Sequence, residues 1–197
     1  MDKPFAESCV QNRDPIFDVI APRLQACRQL LEIGSGTGQH AVYFAPQLPH
    51  LRWQTSDRAE NHAAIHQWLD DEGTDNILRP LQLDVISDPW PSGPYDAVFS
   101  ANTAHIMPLH AVEAMFTGVG QVLAAGAYFL LYGPFCYDGG HTAQSNVSFD
   151  AWLKARDAAM GVRDVTWLRS IAAPAGLRLV DDVAMPADNR TLVWLKS

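Results

Sequence analysis

Leu30-Leu31-Glu32-Ile33-Gly34-Ser35-Gly36-Thr37-Gly38 is an apolar run that ends in three glycines at every second position. Gln29 to Ile33 reads as a buried strand, the glycines as a tight turn, and Gln39 to Gln47 as the helix that follows. Glycine lets the chain turn sharply and lets its backbone approach a ligand with no Cβ in the way, while the helix behind it presents unpaired N–H groups. The spacing is G-x-G-x-G and not the G-x-G-x-x-G of dinucleotide-binding turns. Glu32, an acid two positions before the first glycine, suits a cationic ligand and repels a pyrophosphate. The structural alternative is a glycine turn kept only for tight strand–helix packing.

Outward from this unit the alternation repeats, with Leu51 to Ser56 as strand, Ala59 to Asp71 as helix and Ile77 to Leu83 as strand, which implies parallel strands joined by crossover helices. Upstream, Asp14 before Pro15 reads as an N-cap followed by a proline at the first helical position, so a leading helix is predicted from there through Leu24. Downstream, Tyr95 to Ser100 is a strand, Leu109 to Leu123 a helix and Ala127 to Tyr132 a fully buried strand. Two shorter helices follow, Phe149 to Met160 after a Ser148 cap and Val165 to Ala173 after an Asp164 cap. Leu177 to Val183 and Thr191 to Lys196 are separated by too few residues for a crossover helix and are predicted to pair as an antiparallel hairpin. The expected fold is therefore α/β, a Rossmann-like three-layer sandwich of the class I methyltransferase type. Its sheet is seven-stranded and mostly parallel, with a C-terminal antiparallel hairpin. One domain is expected over residues 1–197, with an N-terminal helix and lid segment at 1–27 and a polar lid loop at 133–147.

The ligand these features suit is S-adenosylmethionine (SAM), with S-adenosylhomocysteine as its product. Glu32 would face its amino group and sulfonium region, with Gly34, Ser35, Gly36, Thr37 and Gly38 around it. Asp57 sits 23 positions after Gly34, matching the interval of roughly 20 residues to a ribose-binding acid; otherwise it is a helix cap, and Arg58 follows it. Asp84, next to Val85, would accept from the adenine amine or serve as a turn residue. Ala101 and Asn102 lie just beyond a central strand, at the sheet edge where ligands bind. Asn102, His105 and Tyr132 are the candidates for the reacting region, with His105 either a general base or a satisfied core histidine.

Composition narrows the partners. The chain carries 14 basic and 22 acidic side chains, a formal charge of -8, which opposes attraction to nucleic-acid phosphates. Asn102 is also not followed by Pro-Pro-aromatic, the arrangement associated with base methylation. No apolar run approaches the roughly 20 residues of a membrane span. The N-terminal residues lack the pattern of a secretion signal, and the three cysteines are widely spaced, so a reducing, cytoplasmic setting is expected. His62 and His66 share a helix face without an HExxH glutamate, so no metal is expected. Trp53, Trp68, Trp90 and Trp152 read as core or lid packing. The expected partner is a small-molecule methyl acceptor, with the protein a monomer or homodimer.

Read together, Ser8 to Ile16 around Asn12, Leu31 to Gln39, Ser56-Asp57, Ala101 to Ile106, Tyr132 to Phe135, Ser145-Asn146 with Phe149-Asp150, Gly161 to Asp164, and Met185-Pro186 with Asn189 resemble the DUF938 family of SAM-dependent methyltransferase-like proteins, which includes the methyltransferase-like protein 26 group of animals. The family has Arg-Asn near its N-terminus and Asn-Asn after Met-Pro, where this chain has Gln11-Asn12 and Asp188-Asn189. The resemblance implies the class I fold and SAM, and no particular acceptor. Asn12-Arg13, the Asn102 to His105 loop, Tyr132 and the polar Tyr137 to Asn146 segment are expected to converge over the sulfonium, with Asn12, Arg13, His141, Ser145, Asn146 and Asn189 the candidates for holding substrate. In-line methyl transfer is the expected chemistry, against a non-catalytic SAM sensor or scaffold, or a nicotinamide-dependent oxidoreductase.

Overall fold

The computed structural model describes residues 3–197. In chain order these form α1 (Glu7–Leu24), β1 (Gln29–Glu32), α2 (Gln39–Phe44), β2 (Arg52–Asp57), α3 (His62–Glu72), β3 (Ile77–Gln82), β4 (Tyr95–Ala101), α4 (Leu109–Val122) and β5 (Leu123–Gly133). After these come β6 (Phe135–Tyr137), β7 (Gly140–His141), α5 (Gln144–Arg156), β8 (Arg163–Asp164), α6 (Val165–Ala172), β9 (Leu177–Ala184) and β10 (Arg190–Lys196). The main sheet has seven strands in the order β3-β2-β1-β4-β5-β10-β9. The first five are parallel, with Leu31 opposite Val98 and Gln54, and β10 runs antiparallel to both β5 and β9. Strand order reverses between β1 and β4, the switch point at which open α/β sheets open a crevice.

Helices cover both faces, so alternate residues of the central strands enter two separate cores. Leu31, Val98, Phe129, Leu131 and Trp194 pack with Met115, Phe116 and Val119 of α4 and Leu168 of α6. Leu30, Phe99, Leu130 and Val193 pack on the other side with Ile16, Ile20 and Leu24 of α1 and Phe44 of α2. Trp53 and Trp194 are fully buried, whereas Trp152 is exposed.

Several boundaries differ from the sequence reading: β5 starts at Leu123 rather than Ala127, α5 ends at Arg156 rather than Met160, and the helix starts at α1 and α5 move further. Helix α1 starts a full two turns before Asp14, with Pro15 and Pro22 inside it. Its first turn is held from outside, since the Ala6 N–H donates to Gln39 Oε1 at 2.6 Å and Asn12 bonds to His40; tertiary contacts override the proline signal. Helix α5 starts at Gln144 and contains Ser148, because Ser145 and Asn146 are tied to the β9–β10 turn at Asp188. Residues 133–147 are not one continuous loop: between short turns they hold the end of β5, β6, β7 and the start of α5, and β6 lies between β7 and β8 in a small second sheet.

The Asp164 cap is as read: its carboxylate accepts from the N–H groups of Thr166 and Trp167, and from that of Gly139 at 2.6 Å. Asp164→Ala should cost about 1–2 kcal/mol in denaturant unfolding; an unchanged midpoint would mean that the cap contributes nothing.

Candidate functional site

The glycine turn is held by the neighbouring strand. Gly34 and Ser35 both donate their N–H to the Ser56 carbonyl at 3.0 Å, and Gly38 N–H donates to Ser35 O at 2.8 Å. Gly34, Gly36 and Gly38 have φ of 71°, 60° and 90°, a region that costs a side-chain-bearing residue about 1–2 kcal/mol. At Gly34 space is decisive as well, because a Cβ would lie 2.5 Å from Thr103 Cγ2.

Above this turn a cleft of about 660 Å³ opens at the C-terminal ends of β1, β2 and β4. Gly34, Ser35, Gly36, Thr37, Asp57, Arg58, Asp84, Val85, Ala101 and Asn102 all line it. Asp57 is fixed by the Gly36 N–H at 2.7 Å on one oxygen and by the Arg58 N–H and Asn61 Nδ2 at 2.8 Å on the other. Asp84 closes a turn by accepting from the Ile86 N–H at 2.9 Å, and it also lines the cleft. His62 Nε2 lies 3.0 Å from the Asp57 carbonyl, and His66 faces Arg79.

Glu32 is a correction. It does not line the cleft; it is buried beneath the turn, where Oε2 accepts from the Ser35 hydroxyl and from the Trp53 indole N–H, both at 2.9 Å. Burial pushes its carboxyl up to about 7, against the hydrogen bonds from Trp53 and Ser35, and the negative charge of Asp57 adds to the rise. An acid at the end of a buried strand points along the sheet's own interior side, and the turn closes over it. Gly38 also lies outside the cleft lining, packed 3.3 Å from the Ile65 backbone by the position its Cβ would take.

A second cavity of about 410 Å³ adjoins the cleft, and Ser8 and Asn102 line both. Asn102 reaches this junction in a left-handed conformation, φ 58°, with its N–H donated to the Tyr132 carbonyl at 2.9 Å. The structure brings Asn12, Asn102, His105, Tyr132, Ser145, Asn146 and Asn189 together around the cavity. Arg13 and His141 are not among them. Adjacent helical residues are about 100° apart, so with Asn12 turned inward Arg13 stacks on the Tyr43 ring at 4.2 Å. His141 is turned to Asp150, 3.6 Å away. The roof is a clasp between α5 and the hairpin turn, in which the Ser145 hydroxyl donates to the Asp188 carboxylate at 2.6 Å and Asn146 Nδ2 to the Asp188 carbonyl at 3.1 Å.

His105 is buried, edge-on to Phe149 with ring centroids 5.3 Å apart. Burial, and secondarily the positive charge of Arg163, pull its pKa down to about 4. Arg163 holds the 104–107 segment through Nε to the Ala104 carbonyl at 3.0 Å and a further bond to the Met107 carbonyl. The sequence reading gave no role to His40. This residue lines the cleft, its Nε2 is 2.8 Å from Asn12 Oδ1, and burial lowers its pKa to about 4. Asn12 and Tyr132 both line the second cavity, so the His40–Asn12 bond links the cleft wall to the cavity wall. The signal for His40 was its place in the first turn after the glycines, facing the same ligand space.

Over residues 3–196 the chain matches the family described as "Protein of unknown function (DUF938)". It belongs to that family. Solved structures of similar fold are methyltransferases. An O-methyltransferase family protein from Burkholderia thailandensis aligns with a TM-score of 0.83 at 14% identity, over 97% of this chain and 58% of that one. An O-methyltransferase family 2 protein from Planctomyces limnophilus, in complex with apigenin, gives 0.82 at 18%, over 96% and 60%. Human N-acetylserotonin methyltransferase in complex with SAM gives 0.80 at 16%, over 97% and 53%. This DUF938 member therefore has the methyltransferase fold and spans a little over half the length of those neighbours.

In this family member, Glu32 holds a proton in the folded state from its ordinary value of 4.5 up to about 7, where the unfolded chain has released it. Stability should then fall as pH rises through that window. Glu32→Gln, which keeps an acceptor for Ser35 and Trp53, should flatten this decline in thermal melts between pH 5 and 8. A parallel decline in the variant would locate the titration elsewhere.

Proposed function

We propose that this protein is a SAM-dependent methyltransferase acting on a small-molecule acceptor held in the cavity beside the cleft. The observation that carries the reading is the junction of the two spaces at Asn102 and Ser8: a binding protein without catalysis has no need of a second space opening on the first. The cleft suits SAM in size, within the range of roughly 300–1,000 Å³ for small-ligand sites. A Cβ on Gly36 would meet no protein atom within 4 Å and would project into open space. Asp57 has used three of the roughly four acceptor positions of a carboxylate, which leaves capacity for a ribose hydroxyl.

When bound, SAM supplies an electrophilic methyl group on a sulfonium. The chain's own contribution is to bind, orient and keep water out. Gly34 to Thr37, Asp57, Arg58, Asp84 and Val85 grip the cofactor; Asn102 orients the acceptor at the junction; His40 holds Asn12 in the cavity wall. His105 accepts a hydrogen bond from the acceptor as a neutral imidazole. Its protonation is opposed by burial beside Arg163, so orientation outweighs proton removal in its role. A small-molecule acceptor fits a cavity of this size and the chain's net negative charge better than nucleic acid does, and a cytoplasmic setting agrees with the free cysteines. Among the described residues no helix is long and apolar enough to cross a membrane.

SAM and S-adenosylhomocysteine should raise the melting temperature and NAD should not; the absence of a shift with either SAM species defeats the reading. Gly36→Ala should weaken SAM binding by about tenfold or more, the scale of overpacking a filled site, while the fold loses only about 1–2 kcal/mol. His105→Ala should cut turnover by up to about a hundredfold, as expected for lost orientation, with SAM affinity unchanged. The wild-type profile should show no His105 inflection above about pH 5, one unit above its lowered pKa. Unchanged turnover removes His105 from the mechanism.

A further inference from the structure

The walls of the acceptor cavity have a narrow chemistry. Five lining side chains are carboxamides, those of Gln11, Asn12, Asn102, Asn146 and Asn189. Among the described residues no Asp, Glu, Lys or Arg side chain lines it. The charged residues on surrounding elements are turned to other partners: Arg13 to the Tyr43 ring, Arg163 to backbone carbonyls, Asp188 to the Ser145 hydroxyl, and Asp150 to Lys154 and the Val162 N–H. The two titratable groups in the wall, His105 and Tyr132, are shifted by burial toward their neutral forms. An ion entering this space would lose its hydration and meet no counter-charge, which binding sites avoid.

The carboxamides also have a directional bias. Asn146 gives its amide nitrogen to the Asp188 carbonyl at 3.1 Å, and Asn189 gives its own to the Pro186 and Ala187 carbonyls at 3.3 Å. Asn189 has used both of its N–H groups and Asn146 one of two, so the free oxygens of the pair outnumber their free N–H groups and call for N–H or O–H donors on the ligand. Asn102 at the junction adds both a donor and an acceptor. Between these polar groups stand Pro15, Pro134, Pro186 and Phe149, apolar surfaces suited to the faces of a flat ring. The volume, about 410 Å³, lies at the small end of ligand sites.

We infer that the cavity selects an uncharged, planar ring compound bearing an amide or lactam group. Calling this compound the methyl acceptor rests on the methyltransferase reading; its binding does not. An amide presents an N–H and a C=O side by side, so it can donate to the oxygens of Asn146 or Asn189 while accepting from Asn102. A carboxylate of the same shape lacks the donor and brings a charge, and an ammonium lacks the acceptor.

The test uses four probes on one scaffold, meta-hydroxybenzamide, meta-hydroxybenzoate, meta-hydroxybenzylamine and methyl meta-hydroxybenzoate, added to the full chain saturated with S-adenosylhomocysteine and followed by calorimetry. The benzamide should bind about tenfold or more tightly than the anion and the cation, a difference of roughly 1.4 kcal/mol, and more tightly than the ester, which has no N–H. Binding of either ion as tight as that of the amide overturns the inference, as does binding of none of the four. An ester equal to the amide overturns its amide half. Gln11→Glu, an exposed change at the rim, should bring benzylamine binding up toward that of the amide; no change in the ratio counts against the neutral-wall argument. Labelled methyl transfer from SAM is read separately. Amide binding without transfer sinks the methyltransferase reading and spares this inference, whereas transfer to the anion or cation does the reverse.

Discussion

Two backbone hydrogen bonds to one carbonyl organise this molecule. The Ser56 oxygen at the end of β2 receives the N–H groups of both Gly34 and Ser35, so the turn after β1 is pinned to its neighbouring strand. Everything on the ligand side follows from that attachment. It fixes where Gly36 presents its bare backbone, it brings the Gly36 N–H onto Asp57, and it drops Ser35 onto the Glu32 carboxyl below. Side-chain bonds from Ser56 to the Glu32 carbonyl and from Ser100 to the Ile33 carbonyl brace the same corner from both sides. Buried polar groups so thoroughly paired make a rigid floor, and a rigid floor is what a site relying on orientation requires.

The second space is built differently. Its walls come from α1, the segment after β4, the end of β5, the start of α5 and the β9–β10 turn, pieces far apart in sequence. They are joined by a few hydrogen bonds, Asn102 to Tyr132 and Ser145 and Asn146 to Asp188, and α1 is held in place by His40 through Asn12. The turn that supplies Asp188 has two consecutive residues, Ala187 and Asp188, with φ near 55° and 57°. Such backbone is tolerated where the surroundings over-determine it, and in folded proteins it gathers at ligand clamps. The bonds from Ser145 and Asn146 to Asp188 close one side of this second cavity.

Local pattern made the order of elements readable. Apolar runs alternating with helical periods gave the parallel core, and the short gap between Val183 and Thr191 ruled out a crossover and so implied the antiparallel pair observed as β9 and β10. Boundaries failed where a residue has two meanings. Pro15 suits a first helical turn and is also tolerated within α1, and Ser148 suits a cap and also a helix interior; contacts through Asn12 and Asp188 decided between them. The lining of the cleft was legible because it is contiguous with strand ends. Glu32 was misread because a sequence shows that an acid ends a strand but not which side of the turn it occupies.

By itself the sequence determined the fold class, the direction of each strand of the main sheet and the residues lining the cleft at its edge, because periodicity and glycine spacing act over a few residues and survive without context. Only the tertiary structure decided which side chains face one another. It turned Asn12 inward and Arg13 outward, drew His40 into the site, sent His141 to Asp150, and buried Glu32 beneath the turn it was expected to crown. These are matters of helix phase and of contacts between segments dozens of residues apart, and no local pattern encodes them.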